Sequence, residues 1–293
     1  MITVGEALRD AAEQLSLSGS ESPRLEARWL VGHILQKTPT WLTVHHDDGL
    51  DLEQMSRLQS LLLRRHQGEP LPYVLEEAEF YGRRFFVDNR VLVPRPETEL
   101  LVEKAIEFAR GMSLRSSSPL RIVDVGTGSG VIAISVALEV PGAEVVATDV
   151  SERALDVAQI NVEQHRVGRR VTLTRSNLLD HIQFPIDLLV ANLPYVRTAT
   201  ILTLQPEVQC EPRLALDGGI DGFALYRRLF PRAGNLISPG GAAFFEIGDE
   251  QGYLAISEAR RFFPGRDVEL IHDLAGRDRI VAVLPRFSRA KVE

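Results

Sequence analysis

The chain has 293 residues, of which 44% are hydrophobic and 25% charged, the mix of a soluble globular protein with enough apolar material for two domains. Its formal net charge of -7 argues against a protein whose main work is gripping nucleic-acid phosphates. One cysteine, Cys210, excludes an intramolecular disulfide and fits a reducing compartment.

The N-terminus, Met-Ile-Thr-Val-Gly-Glu, lacks a basic segment followed by an apolar one, and no run approaches the ~18 apolar residues of a membrane span. A cytoplasmic chain that meets no membrane is expected. The seven histidines are scattered, with no metal-ligand spacing, so no metal is expected. Arg64, Arg65, Arg83, Arg84, Arg90 and Arg95 concentrate in one stretch, which reads as a solvated face or, less simply, a binding patch.

The first ~75 residues read as helices. Thr3 with Glu6 fits a capping box, and Val4, Ala7, Leu8, Ala11 and Leu15 follow at helical spacing. Ser22 and Pro23 open a second helix, whose stripe is Ala27, Leu30, Val31, Ile34 and Leu35. A short third helix starts near Pro39. A fourth spans about Asp51 to Gln67, with Met55, Leu58, Leu61 and Leu62 inward and Gly68 as the stop. Pro70, Pro72, Pro94 and Pro96 then break helices. Between them Phe80-Tyr81-Gly82 and Arg84 to Val87 suggest a short β-hairpin. The reading is a bundle over 1–75, a hairpin linker over 76–96 and a second domain over 97–293. That domain opens with a helix from Glu97 to Arg110, and Ser113 to Pro119 reads as a polar loop.

Beyond Pro119, apolar strands alternate with helices: Leu120 to Val125, Glu144 to Thr148, Val171 to Thr174, Asp187 to Ala191, Ala242 to Ile247, Val268 to Ile271 and Ile280 to Leu284. The alternation predicts an α/β fold with a seven-stranded, mostly parallel sheet. The last two strands leave no room for a crossover helix, so one of them is expected to be antiparallel.

The first of these strands runs into Gly126-Thr127-Gly128-Ser129-Gly130, then into a helix from Val131 to Glu139. Glycines let a backbone approach a ligand, and a helix N-terminus offers free N–H groups. The spacing is G-x-G-x-G. The dinucleotide fingerprint needs a glycine where this chain has Val131, which disfavours NAD. Asp149 closes the second strand about 20 residues on, where a carboxylate can grip ribose hydroxyls. A tight turn and a helix-capping Asp would use the same residues. Asp124, ahead of the turn, either bonds the loop backbone or holds the loop that receives the methionine part of S-adenosyl-L-methionine. Asn177, after the third strand, is placed to meet an adenine edge.

The fourth strand ends in Asn192-Leu193-Pro194-Tyr195, and in a parallel sheet that end lies beside the glycine turn. Methyl transfer from a sulfonium is an in-line displacement in which the protein mainly positions the nucleophile. An amide nitrogen is a poor nucleophile, and two acceptors aimed at its hydrogens can localise its electrons. The Asn192 side-chain oxygen and the Leu193 carbonyl are the candidates. Pro194 would stiffen the turn and Tyr195 would pack its ring on the flat group. The bland alternative is a strand-ending turn, where Asn and Pro are common.

Over nearly its whole length the chain resembles the release factor glutamine methyltransferase family. The match is carried by Gly68 to Tyr73, Phe80 to Gly82, Val91 to Glu99 with its Pro-Arg-Pro-Glu-Thr-Glu run, Asp124 to Gly130, Ala147 to Asp149, Asn192 to Tyr195 and Glu211 to Gly222. Pro239 to Gly241, Glu246 to Gly248 and Gly276 to Arg279 add to it. The resemblance implies a helical N-terminal domain that docks the substrate, a hairpin linker and a Rossmann-like class I methyltransferase domain. It implies methylation of the glutamine in the Gly-Gly-Gln tip of peptide chain release factors. Gly126 to Gly130 and Asp149 would bind S-adenosyl-L-methionine, Asn177 and Leu178 would flank adenine, and Asn192 to Tyr195 would hold the glutamine. Two positions depart from the family: Leu193 stands where it usually has proline, and Asn177 where it often has Asp.

Two other classes use the same residues. An adenine-N6 nucleic-acid methyltransferase poses the same chemical problem at an exocyclic amine, but must hold or flip a base; the acidic charge counts against it. A binding module that keeps only the fold is disfavoured by intact Asn192 and Tyr195. A monomer whose partner is a release factor, with no nucleic acid bound, is expected. The roles of Pro94, Glu97, Thr98 and Glu211 stay open at this level, with the pocket mouth as the guess.

Overall fold

A computed structural model describes residues 2–114 and 118–286. The chain forms two compact units: one runs to Glu77 and takes in Gln205–Cys210, and the other comprises Ala78–Leu204 and resumes at Glu211. Residues 115–117 of the expected polar loop lie outside the described residues.

The first unit is built from α1 (Val4–Leu17), α2 (Pro23–Leu35), α3 (Pro39–Val44), α4 (Leu52–His66) and α5 (Leu71–Leu75), with a small antiparallel ladder of β1 (Ile2–Thr3) and β2 (Gly49–Leu50). The Thr3–Glu6 capping box forms in both directions, at 3.2 and 2.8 Å, and Asp51 with Gln54 caps α4 the same way. Ser22 makes no side-chain cap bond. The apolar stripes meet, burying Val4, Ala11, Leu30, Val31, Leu58 and Leu62. Helix α5 corrects the reading of Pro70 and Pro72 as breakers. Pro72 sits in its first turn, where an N–H has no intrahelical acceptor to lose.

Arg65 is no solvated arginine. It is 7% exposed; its guanidinium donates to Glu26 at 3.0 Å, to the Glu69 carbonyl, and to Glu207 at 2.9 Å. That fork ties α4 to α2 and to the one-turn helix Pro206–Gln209.

In the second unit, β3 (Ala78–Phe80) and β4 (Arg83–Phe85) form the expected hairpin. Tyr81 and Gly82 both take positive φ, 51° and 67°, the twist of a tight two-residue hairpin turn. Phe80 and Phe85 are buried in the core beneath the main sheet. Then come α6 (Thr98–Ser113), β5 (Leu120–Val125), α7 (Val131–Glu139), β6 (Ala143–Asp149), α8 (Glu152–Gln164), β7 (Val171–Arg175) and β8 (Ile186–Asn192). With the Pro206–Gln209 turn counted as α9, there follow α10 (Arg213–Leu216), α11 (Ala224–Leu236), β9 (Ile237–Glu246), α12 (Gly252–Phe262), β10 (Asp267–His272) and β11 (Asp278–Leu284).

The seven strands lie in the order β10-β11-β9-β8-β5-β6-β7. β11 pairs antiparallel with both β9 and β10, and is the antiparallel strand that the short last connection demands. One apolar cluster fills the face covered by α6 and α7, and another the face covered by α11 and α12. Covering both faces explains the unbroken apolar strands. The chain runs outward from β5 through β6 to β7, then returns to β8 on its other side. The ends of β5 and β8 therefore sit at the switch point of the sheet, where open α/β sheets leave a crevice. The architecture is the Rossmann-like α/β fold expected of a class I methyltransferase.

Candidate active site

A cavity of about 280 Å³ opens at the carboxyl ends of the central strands. Its wall includes Gly126, Thr127, Gly128 and Ser129 after β5, Asp149 at the end of β6, Asn177 and Leu178 after β7, and Asn192, Leu193 and Pro194 at the end of β8. These are residues the sequence singled out, brought together from four strand ends. Asp124, Gly130 and Tyr195 are not part of that wall.

The glycine turn is fixed by the neighbouring strand. The N–H groups of Gly126 and Thr127 both donate to the Thr148 carbonyl, at 2.8 and 2.9 Å. Gly126 has a φ of 77°, and a Cβ there would lie 2.8 Å from Leu193 Cδ2. The two turns thus pack directly on each other, with no room for a side chain between them. Gly130 faces away, where a Cβ would come within 3.3 Å of Ala158 Cβ. The missing side chain at Gly130 lets α8 pack closely on the turn.

Asp149 is also busier than expected. One carboxylate oxygen accepts from the Gly128 N–H at 3.0 Å and the other from Ser151 N–H at 2.9 Å. Burial pushes its pKa up, against those backbone donors, which lower it. It staples the turn to the strand end while keeping a face on the cavity. Asp124 lies beneath the turn at 1% exposure, with one oxygen accepting from Thr127 Oγ1 at 2.6 Å and the other without a partner. Burial pushes its carboxyl up to about 7, opposed by the Thr127 hydroxyl. Its place is under the loop, and the reading that had it hold the loop fits better than direct contact with a ligand.

At the end of β8, Asn192 Nδ2 donates to Thr98 Oγ1 at 3.0 Å. The Leu193 N–H donates to the Tyr226 hydroxyl at 3.2 Å, and that hydroxyl also meets the carbonyls of Ala191 and Glu246. Tyr226 is wholly buried on α11 and pins the strand end. Tyr195 is half-buried at the start of the segment after β8. Its pKa is pushed up to about 12 by burial and by the charge of Glu246, and its carbonyl accepts from Gln251 at 3.2 Å.

Pro94 and Thr98, expected at the pocket mouth, are joined in the wall by residues that the sequence reading does not single out. Pro94, Arg95 and Thr98 line the cavity, as do Arg228 and Leu225 from α11. Arg228 donates to the Asn177 carboxamide oxygen at 2.9 Å. Glu211 is 5% exposed, accepts from Arg95 at 2.6 Å and from the Val93 N–H at 3.3 Å, and so secures the proline-rich stretch. The glycines of the 211–222 run lie under the Asn-Leu-Pro-Tyr turn: a Cβ on Gly218 would be 2.6 Å from the Pro194 carbonyl. Asn161, wholly buried, donates to the Ser129 carbonyl at 2.8 Å and exchanges two hydrogen bonds with the Phe86 backbone. Pro94, Arg95, Thr98, Glu211 and Gly218 fall within the proline-rich and glycine-rich runs of the sequence, whereas Asn161, Leu225 and Arg228 lie in helices that carry no such signal. Among the described residues, no helix is long and apolar enough to cross a membrane, and no group of three or more His, Cys, Asp or Glu side chains could hold a metal.

Comparison with known proteins finds matches in both parts of the chain. Residues 6–75 match the PrmC N-terminal domain and residues 110–208 the methyltransferase small domain. The release factor glutamine methyltransferase of Moorella thermoacetica is 40% identical over 279 residues, covering 95% of this chain and 97% of that protein. Its counterpart from Chlorobaculum tepidum is 44% identical over 233 residues, 78% of this chain and 79% of that one. Among solved structures, the hMettl16 catalytic domain in complex with MAT2A 3'UTR hairpin 6 superimposes with a TM-score of 0.57 at 13% identity, covering 81% of this chain and 84% of that one, and speaks to the fold alone. With relatives this similar over most of its length, the chain belongs to the release factor glutamine methyltransferase family.

Proposed function

We propose that the chain transfers a methyl group from S-adenosyl-L-methionine to the side-chain amide nitrogen of the glutamine in the Gly-Gly-Gln motif of peptide chain release factors. One observation carries the reading: Asn192, its amide nitrogen committed to Thr98, shares a cavity wall with the glycine turn that packs against Leu193.

The residues present fit the cofactor. A Cβ on Gly128 would meet nothing within 4 Å, so its backbone faces open space. Asp149 presents a carboxylate at the strand end, suited to sugar hydroxyls. Gly126 to Ser129 and Asp149 would hold S-adenosylmethionine, with Asn177 and Leu178 beside the base and Asp124 and Gly130 shaping the turn from behind. When bound, the cofactor supplies an electrophilic methyl on a sulfonium sulfur.

The chain's own work is orientation. Asn192 Oδ1 and the Leu193 carbonyl each accept one hydrogen of the incoming NH₂ group, which fixes the nitrogen and concentrates its lone pair. Pro194 limits the backbone of the turn. Leu193, in place of the usual proline, leaves the carbonyl in service and is held instead by packing at 3% exposure and by the Tyr226 hydroxyl. Tyr195, outside the cavity wall, supports the turn from behind. No strong base is required, because the nitrogen sheds its proton to water after transfer. The bundle over 1–75 is assigned to docking the release factor and 97–293 to the chemistry, while the stretch 76–96, expected as a linker, packs its hairpin into the core of the second unit.

The test is direct. With methyl-labelled S-adenosylmethionine and either a release factor or DNA as acceptor, label is expected on the release factor. Label on DNA and none on the release factor would overturn the reading.

A further inference from the structure

Glu246 closes β9 as the register partner of Asn192 on β8. Its side chain is wholly buried, a costly place for a carboxylate. Neither oxygen closes a hydrogen bond of ordinary geometry, although the side chains of Thr98 and Asn192 both lie where they favour its ionised form. Thr98 is 3% exposed, and its Oγ1 accepts from Asn192 Nδ2 at 3.0 Å. A hydroxyl that accepts in this way still has its own proton to give, and the Glu246 carboxylate is the acceptor on offer.

We infer that Glu246 is a positioning residue: its carboxylate, acting through the Thr98 hydroxyl, holds the Asn192 carboxamide with NH₂ inward and Oδ1 toward the cavity. The inference rests on the proposed transfer to a glutamine amide nitrogen. A carboxamide is nearly symmetric in shape, so packing alone chooses poorly between its two flips. The wrong flip sets NH₂ against the substrate's NH₂, with no acceptor between them. A negative charge beneath the group attracts its NH₂ and repels its oxygen, and so selects the useful flip.

A protonated Glu246 reverses the preference, since an acid O–H can donate and leave the Thr98 proton free to turn to Asn192 Oδ1. Burial holds the carboxyl up to about 7, opposed by Thr98 and by the Arg279 charge. The groups facing it are Arg279 on β11, Glu97 ahead of α6, Tyr195 after β8 and Tyr226 on α11. Arg279 is shared with Asp273, at 3.0 Å. Transfer should therefore rise as pH increases through neutrality, when Glu246 ionises.

The experiment uses the full chain with a release factor and S-adenosylmethionine, from about pH 6 to about pH 9, and the variants Glu246→Gln, Thr98→Val and Thr98→Ser. Glu246→Gln and Thr98→Val should each lower kcat roughly ten- to a hundredfold and flatten the rise near neutrality. The Kd for S-adenosylhomocysteine should stay within about twofold. Thr98→Ser should restore kcat to within about threefold of wild type, although Val matches the shape of Thr better. Glu246→Gln should also raise Tm in alkaline buffer, because it removes a buried charge; a carboxylate that served only the fold would lower it. Unchanged kcat and an unchanged pH rise in Glu246→Gln, or Thr98→Val equal to Thr98→Ser, would overturn the inference and leave the proposed function standing. A wild-type chain that labels no release factor would overturn both.

Discussion

Asn192 Nδ2 donates to Thr98 Oγ1 at 3.0 Å, joining residues 94 positions apart on the wall of one cavity. The bond leaves the Asn192 oxygen as the atom free to meet a substrate NH₂. Asn192→Ala removes that acceptor without touching the glycine turn. Methyl transfer should fall by roughly a hundredfold or more, while calorimetry should find cofactor affinity within about twofold of wild type. Normal transfer by the variant would remove Asn192 from the role given to it.

Gly218 lets the 211–222 run pass beneath the Asn-Leu-Pro-Tyr turn. A Cβ there would sit 2.6 Å from the Pro194 carbonyl and 2.8 Å from Tyr195 Cα, both backbone atoms that cannot swing aside. Gly218→Ala should move the turn, cost about 1–3 kcal/mol in urea denaturation and lower kcat by about a hundredfold, as misplaced positioning groups do. A variant with wild-type kcat would show that the turn tolerates the shift.

Those two contacts mark the boundary of what the sequence disclosed. All seven sheet strands were legible: the inner ones as continuous apolar runs, and the edge strands β7 and β10, which are more exposed, as alternating apolar and polar residues. The helix after the glycine turn was legible to the residue. β9 begins at Ile237, five positions before the expected Ala242, because Ser238-Pro239-Gly240-Gly241 has the composition of a turn. The pocket-lining residues of the glycine turn and of Asn192 to Pro194 were legible, since each follows a strand end. Thr98 was placed at the pocket mouth but without its partner, and the parts played by Glu246 and Asn161 were not legible, because the partners lie far along the chain and only tertiary packing brings them together. Asp149 shows a residue with two uses: it lines the cavity as its type suggested, and it also accepts from the Gly128 and Ser151 N–H groups, which the sequence did not disclose.

Asp124 ties stability to pH. Its carboxyl, ordinarily near 3.8, is pushed up to about 7 by burial, so the folded chain keeps a proton that the unfolded chain releases. This contribution is present in full below about pH 4 and is lost as pH rises through about 7, by on the order of 4 kcal/mol. Asp124→Asn keeps an acceptor for Thr127 and removes the titration. Urea denaturation between about pH 5.5 and 8.5 should therefore show a flatter profile for the variant, with greater stability than wild type at the alkaline end. Identical slopes would contradict the shift.

Arg65 holds the first unit together from inside. Arg65→Ala would strand the Glu26 carboxylate, whose side chain is 13% exposed, and release Glu207. Losing one partner of a buried pair costs about 3–5 kcal/mol, and thermal unfolding should show it. A loss below about 1 kcal/mol would mean that solvent reaches Glu26 and replaces the pair.

The central claim is that this cavity presents acceptors to a glutamine amide nitrogen. Peptide mapping by mass spectrometry of a release factor incubated with the chain and methyl-labelled S-adenosylmethionine tests it most directly. The predicted result is label on the glutamine of Gly-Gly-Gln with the wild-type chain, and label lower by roughly a hundredfold or more with Asn192→Ala. Label elsewhere on the release factor, or equal labelling by the variant, would contradict it.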